Sequence, residues 1–248
     1  MVPTSRRLIV PIVVVAAMLA AGNAEAQKRR AVRAPSTTPP QSTCHQFGLV
    51  RAGLIATYQT NPPSTFTVTY IQDTLTKTVT KQKVITAQAT TDVDTILDGE
   101  VSGNLRGLKH INIKATTAVP VLGSLTIETD VDFVPSLIAG PADGWCVGNK
   151  WSIPAVTETV TVKSPIAPPT NQIKTTIASE GEVLAVNETV VVPAGSFQTV
   201  KYKGVQVTDG NVQTAITWVS MEHNIVVKQQ TLDSNGAVTS TLDLTALQ

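Results

Sequence analysis

The stretch VVVPAGSFQTVKY, residues 190–202, decides the fold class of this chain. Val190 and Val192 alternate before the turn Pro193-Ala194-Gly195, and Val200 and Tyr202 alternate after it. That period of two is the pattern of a half-buried β-strand, and proline with glycine favours a tight turn. The stretch therefore predicts an antiparallel hairpin, with the Phe197 ring turned into the core or onto a concave face.

Strand patterns of the same kind continue outward from this hairpin in both directions, separated by Gly, Pro, Asn and Asp. The predicted strands are 65–72, 75–90, 109–117, 125–134, 156–163, 173–186, 189–192, 197–208, 212–220, 225–232 and 238–245. Only 92–97 and 136–139 could carry a helical turn. The short links between strands favour an antiparallel meander. The proline-dense segment 164–170 is interpreted as a long loop, and a phase slip at Gly204 predicts a β-bulge that bends the sheet.

The composition supports an all-β fold. The chain has 36 Thr and 33 Val, and charged residues make up only 15% of it. Both residue types are β-branched, so their stiff side chains suit a pleated strand better than a helix. We expect few or no helices outside the first 26 residues.

Residues 1–26 predict a secretory signal peptide, with basic Arg6 and Arg7, an apolar run over 8–21 and a small-residue cleavage site ending at Ala26. The run contains 14 residues, fewer than the roughly 20 of a membrane-spanning helix, so cleavage is favoured over a retained anchor. The two arginines leave general secretory and twin-arginine export both open. We expect an exported protein, periplasmic or extracellular, with no integral membrane segment after cleavage.

Residues 27–44 predict a basic tether rich in proline and threonine, followed by a single β-rich domain over 45–248. Four basic residues lie in the tether, and the remainder has 13 basic and 17 acidic residues, a net charge of −4. A solvated leader is favoured over contact with an anionic membrane surface. The domain has no electrostatic footprint for nucleic acid.

The chain contains two cysteines, Cys44 and Cys146. An even number of cysteines in an exported chain predicts a disulfide. The competing interpretation is a metal site made with His45, but the paired ligand spacing of known zinc sites is absent. We expect no bound metal and no cofactor.

No pattern predicts a catalytic centre. The three histidines, His45, His110 and His223, are far apart in the sequence, and no G-x-S-x-G motif is present. A carboxylate row, 128-130-132, alternates along one predicted strand and suggests either a Ca²⁺ site or a solvated face paired with lysines. The lysine pairing is favoured, and we expect a protein that is not an enzyme.

Four motifs carry a resemblance to a family. Gly148 and Trp151 match a V-G-x-x-W turn, residues 192–197 match V-P-A-G-[ST]-F, Trp218 matches a tryptophan strand, and 226–228 match a final V-[KR] element. Over about 145–230 the chain resembles a family of exported bacterial domains of unknown function. The departure is Asn224, which stands where the family usually has glycine.

The resemblance implies the fold of periplasmic lipoprotein carriers: one long, strongly curved antiparallel sheet forming an open half-barrel. It supplies no catalytic residues. The motif residues Gly148, Trp151, Pro193, Ala194, Gly195, Phe197 and Trp218 are expected to be structural or to line a ligand site. The first functional hypothesis is an envelope protein that binds a lipid or other apolar ligand. The alternative is a structural or protein-interaction module, with an unknown protein partner and no small-molecule ligand.

Overall fold

The computed structural model describes residues 43–86, 89–119, 123–142, 144–165, 167–208 and 210–248. The predicted signal peptide, residues 1–26, and all but the last two residues of the predicted tether lie outside these ranges. Within them the chain is all-β, as predicted, and contains no α-helix. No helix in the described part of the chain has the length and apolar character needed to cross a membrane.

The strands follow one another with short connections. They are β1 (Cys44–His45), β2 (Ile55–Asn61), β3 (Ser64–Asp73), β4 (Lys77–Ile85), β5 (Thr90–Ser102), β6 (Leu105–Val119), β7 (Gly123–Pro141), β8 (Trp145–Cys146), β9 (Lys150–Ser164), β10 (Ala167–Val192), β11 (Gly195–Thr208), β12 (Asn211–Ser220), β13 (Val226–Leu232) and β14 (Val238–Leu247).

One large antiparallel sheet contains every described strand except β1 and β8, which pair with each other. Its strands pair in chain order, as the meander prediction required. The last strand, β14, also pairs with the first, β2, through contacts such as Leu244 with Tyr58. The two ends of the curved sheet therefore meet, and the sheet is ring-like. This pairing was not predicted, because β2 was not recognised as a strand and its partner lies at the other end of the chain.

Several local predictions were wrong. Residues 92–97 lie within β5 and residues 136–139 within β7, so neither segment is helical. The proline-dense segment is a short connection, because β9 ends at Ser164 and β10 begins at Ala167. Proline is compatible with such strand ends, where its missing N–H costs no ladder hydrogen bond.

The predicted bulge at Gly204 is also absent. Gly204 pairs in register with Gly181 of β10 and with Ala215 of β12. The irregularities lie instead on β10, where Leu184 and Asn187 are extra residues in the pairing with β11. The phase slip in the sequence coincides with a row of three small residues, Gly181, Gly204 and Ala215, across neighbouring strands.

The buried apolar residues form two clusters. The larger joins β2, β3 and β8–β14 with the segment 44–54, which we call the strap. The smaller joins β5–β7, β9 and β10 through Leu97, Leu108, Ile111, Val131, Phe133, Val156 and Ile177. The strap places Phe47, Val50 and Leu54 in the larger cluster at 0%, 4% and 3% exposure. The strap is therefore part of the core.

Candidate functional site

Four aromatic rings fill the larger cluster around the motif residue Trp151. The ring of Trp145 lies 5.4 Å from Phe47, 5.3 Å from Trp151 and 5.0 Å from Tyr202. Trp151 packs against Gly181, where an added Cβ would lie 2.0 Å from its Cζ2 atom. This part of the curved sheet is occupied by the protein's own side chains.

The turn that precedes Trp151 positions it by backbone hydrogen bonds. Gly148 has a φ of 85°, a left-handed conformation that glycine adopts without strain. Its N–H donates to the carbonyl of Val183 at 2.9 Å, and the N–H of Val183 donates back to the carbonyl of Asn149 at 2.9 Å. The turn at Gly148 therefore has a structural role, because it joins the start of β9 to β10.

The strap is fastened at three points. A disulfide joins Cys44 to Cys146, as predicted. At the other end, the N–H of Val50 donates to Asp73 Oδ2 at 2.8 Å. Between them the Asn224 side chain accepts from the N–H of Gly48 at 3.1 Å and donates to the carbonyl of Leu49 at 3.4 Å.

The backbone conformation at Asn224 accounts for an asparagine at this position. Its φ is 59°, in the left-handed region where glycine is favoured and asparagine is the best tolerated of the side-chain-bearing residues. Asparagine thus keeps the turn that glycine would make and adds the two hydrogen bonds to the strap.

The predicted hairpin around Pro193-Ala194-Gly195 is confirmed as the connection of β10 to β11. Its tip bends over the end of the sheet, where the N–H of Ala194 donates to the carbonyl of Leu244 at 3.1 Å. The neighbouring β12–β13 turn is attached to the same hairpin, since the N–H of Met221 donates to the carbonyl of Gln198 at 2.9 Å.

A groove of about 680 Å³ lies between this hairpin tip and the β12–β13 turn. Small-molecule sites commonly have volumes of about 300–1,000 Å³. Its walls combine an apolar part with hydroxyl, amide, carboxylate and imidazole groups. The lining residues are Ala194, Gly195, Ser196, Phe197, Gln198, Ser220, Met221, Glu222, His223 and Leu247. Four of them belong to the V-P-A-G-S-F motif.

Phe197 is the largest apolar side chain of the groove. It is half-buried and packs against the larger cluster from its edge. Its ring lies 6.2 Å from that of His223 in an edge-to-face arrangement. Phe197 is thus partly in the core, as predicted, and partly available to a ligand in the groove.

Trp218 is buried and belongs to the larger cluster. It pairs with Lys201 and Lys228, whose Nζ atoms lie 5.0 Å and 5.9 Å from the ring centroid. Its indole Nε1–H donates to Glu188 Oε1 at 3.0 Å. Two lysines and a carboxylate cover the exposed part of the ring from solvent, and Trp218 does not line the groove. The motif residues therefore do not form one site.

A serine, a histidine and an acid meet in the groove, but their geometry does not activate the serine. Ser220 Oγ accepts the backbone N–H groups of Glu222 and His223 at 3.3 Å and 3.1 Å. Within the described residues no hydrogen bond joins the His223 ring to this hydroxyl, and the ring's 3.7 Å partner is the exposed carboxylate of Glu222. A serine nucleophile needs a base at its hydroxyl, and here that hydroxyl stabilises a turn.

The carboxylate row is paired with Lys163 and His110. Lys163 of β9 lies 2.9 Å from Asp130 and 3.7 Å from Glu128, and His110 Nδ1 lies 2.8 Å from Asp132. Hydrogen bonds from Lys163 and Asn112 lower the pKa of Asp130. In the described ranges no group of three or more His, Cys, Asp or Glu residues is arranged to hold a metal ion.

Sequence reasoning missed the other half of the groove. Met221 and Leu247 come from a turn and from the end of β14, and nothing in their local pattern indicates that they meet the hairpin tip. Gly181 was detectable, since a lone glycine inside a strand often marks a close approach of another group. Here that group is Trp151.

Comparison with known proteins gives a distant likeness of fold. No protein-family model matches the chain, and no curated protein matches it. A "putative lipoprotein" from Parabacteroides distasonis ATCC 8503 has 12% identity and a TM-score of 0.38, covering 80% of this chain and 96% of that one. A "putative exported protein with YmcC-like fold" from Bacteroides fragilis NCTC 9343 has 11% identity and a TM-score of 0.37, covering 80% and 97%. At this similarity neither structure carries an argument about function, and the family resemblance stays a prediction.

Proposed function

We propose that this protein is exported to the cell envelope and binds an apolar or amphiphilic ligand, such as a lipid, in the groove beside Phe197, without catalysing a reaction. The observation that carries the proposal is the groove itself: about 680 Å³, with Phe197, Met221 and Leu247 on its walls beside polar groups. Apolar walls with a few polar groups are the usual composition of small-molecule sites.

The groove replaces the concave face as the candidate ligand site. The rings of Phe47, Trp145, Trp151 and Tyr202 occupy the inner face in the larger cluster. Those rings also favour the second candidate function, a structural or protein-interaction module. The two functions can be distinguished by one measurement. Only the first requires that the protein bind a small ligand and that this binding depend on Phe197.

The test compares Phe197→Ala with the control Val191→Ala. Val191 lies on the same hairpin, is 74% exposed and does not line the groove. Full burial of a phenylalanine ring contributes about 1.5–3 kcal/mol. Since the Phe197 ring would cover only part of the ligand, its loss should weaken the binding of a fluorescent fatty acid or phospholipid about tenfold. Because Phe197 is half-buried, the variant should lose less than the 3–5 kcal/mol typical of a core phenylalanine.

The control should bind the probe as the unchanged protein does. If neither probe binds, or if Phe197→Ala binds as tightly as Val191→Ala, the ligand function is rejected and the interaction module is favoured. Export is tested separately by amino-terminal sequencing of the protein recovered outside the cytoplasm, which should begin at Gln27. A sequence that begins at Met1 would contradict cleavage.

A further inference from the structure

Arg106 is a buried cation with most of its hydrogen-bonding capacity unused. It lies on β6 and is 4% exposed. Its Nη2 donates to the carbonyl of Thr74 at 3.0 Å. Its Nε and Nη1 atoms are buried and have no hydrogen-bond partner in the described part of the chain. Buried polar groups in native proteins nearly always have partners, and an unsatisfied charged group is the costliest exception.

The carboxylate whose charge acts on Arg106, Asp73, is already engaged elsewhere. Its Oδ2 accepts the N–H of Val50 in the strap at 2.8 Å, and its Oδ1 accepts the hydroxyl of Thr78 at 2.6 Å. Its charge raises the pKa of Arg106, but burial has the larger effect, and the balance lowers that pKa. Asp73 therefore acts on the guanidinium through its charge and leaves the free N–H groups without an acceptor.

Further polar atoms without partners lie on the same wall of the ring. Thr80 follows Thr78 on the same face of β4, pairs directly with Thr95 of β5, and both residues are 1% exposed. Neither hydroxyl has a hydrogen-bond partner in the described ranges. These hydroxyls are a second observation, independent of Arg106, of buried polar atoms without partners on β4 and β5, the strands between Asp73 of β3 and Arg106 of β6.

We infer that the interior beside Arg106 is a binding site for an oxyanion, a carboxylate or a phosphate group, which accepts the free guanidinium N–H groups. An oxyanion fits better than water alone, because it supplies negative charge as well as acceptors. Arginine pairs with carboxylate and phosphate in this way because its planar fork matches their oxygen atoms. The site is distinct from the groove and does not depend on the function proposed there.

The first test measures the thermal unfolding of the exported, disulfide-bonded protein against sodium phosphate and sodium acetate, at constant ionic strength set with chloride. A ligand at a hundred times its Kd should raise the Tm by about 5–10 °C for a domain of this size. Arg106→Met removes the charge at similar volume and should abolish the increase. General salt effects on burial act on both proteins and cancel in the comparison.

Decanoate and decanol, tested in the same way, distinguish a small free anion from the head group of an amphiphile. If phosphate or acetate stabilises the protein, the ligand is a small anion. If only decanoate does so, and decanol does not, the ligand is the head group of an amphiphile. Equal responses of the unchanged protein and Arg106→Met to all four compounds overturn the inference.

Asp73→Asn provides a test that keeps Arg106 in place, in case Arg106→Met does not fold. The amide oxygen of asparagine can still accept a hydrogen bond from Val50 or Thr78, while the negative charge that competes with a bound anion is removed. The affinity for the anion identified above should increase several-fold. An affinity that is unchanged or reduced contradicts an anion site at Arg106.

Discussion

Replacing Gly181 by alanine should destabilise the protein by forcing the Trp151 ring out of its position. An added Cβ would lie 2.0 Å, 2.2 Å and 2.6 Å from three ring atoms, distances that real Cβ atoms essentially never show. The ring cannot move freely, because it is 7% exposed and its centroid lies 5.3 Å from Trp145 and 6.1 Å from Tyr202. Overpacking of a dense core typically costs about 1–3 kcal/mol, and this overlap places Gly181→Ala at the upper end.

The matched control is Gly204→Ala. Gly204 pairs directly with Gly181 across the two strands, and an added Cβ there meets nothing within 4 Å. This variant should be neutral, or more stable by about 0.4–1 kcal/mol, because alanine restricts the unfolded chain.

Urea unfolding followed by far-UV circular dichroism measures both variants without relying on tryptophan fluorescence, which the moved ring would itself change. Each kcal/mol corresponds to about 2–4 °C in Tm for a domain of this size, so thermal unfolding provides a second measurement. If the two variants differ by less than about 0.5 kcal/mol, Trp151 does not pack on Gly181 and the described aromatic cluster is wrong.

Three further predictions concern the strap. Reducing the Cys44–Cys146 disulfide should cost about 2–5 kcal/mol, measured as the change in urea midpoint with and without reductant, and an unchanged midpoint would contradict a structural bridge. Asn224→Gly keeps the left-handed turn but loses two hydrogen bonds, so it should lower the free energy of unfolding by about 1–2 kcal/mol. Asn224→Ala also adds backbone strain and should lower it further, and equal losses in the two variants would argue against the φ of 59°. Burial lowers the pKa of His45 below 6.5, with a smaller opposing effect of a backbone hydrogen bond to Met221. The unfolded chain then binds the proton more tightly, so stability is complete above pH 6.5 and falls as the pH decreases toward the folded pKa. His45→Gln should flatten this dependence in a series of urea midpoints, and an identical slope in both proteins would rule out His45 as its source.

The groove could be predicted only in part from the sequence. The V-P-A-G-S-F motif identified its hairpin wall, because turn residues and alternating valines are local signals. Its other wall comes from Met221, held beside Gln198 at the end of the β11–β12 pairing, and from Leu247 of β14, which the tip reaches by bending onto Leu244. No local pattern encodes those contacts.

The sequence by itself determined the all-β class, the antiparallel meander, the central hairpin and the cysteine pair. Each depends on residue type and short-range spacing: β-branched residues favour strands, an apolar period of two gives a half-buried strand, and short links between neighbouring strands require antiparallel pairing. The tertiary structure alone decided that the sheet meets itself through β2 and β14, that the strap fills its interior, and that Arg106 is buried beside Asp73 without a full set of partners. Those features arise from contacts between segments far apart in the chain, where the free energy depends on which surfaces fit together after the strands have formed.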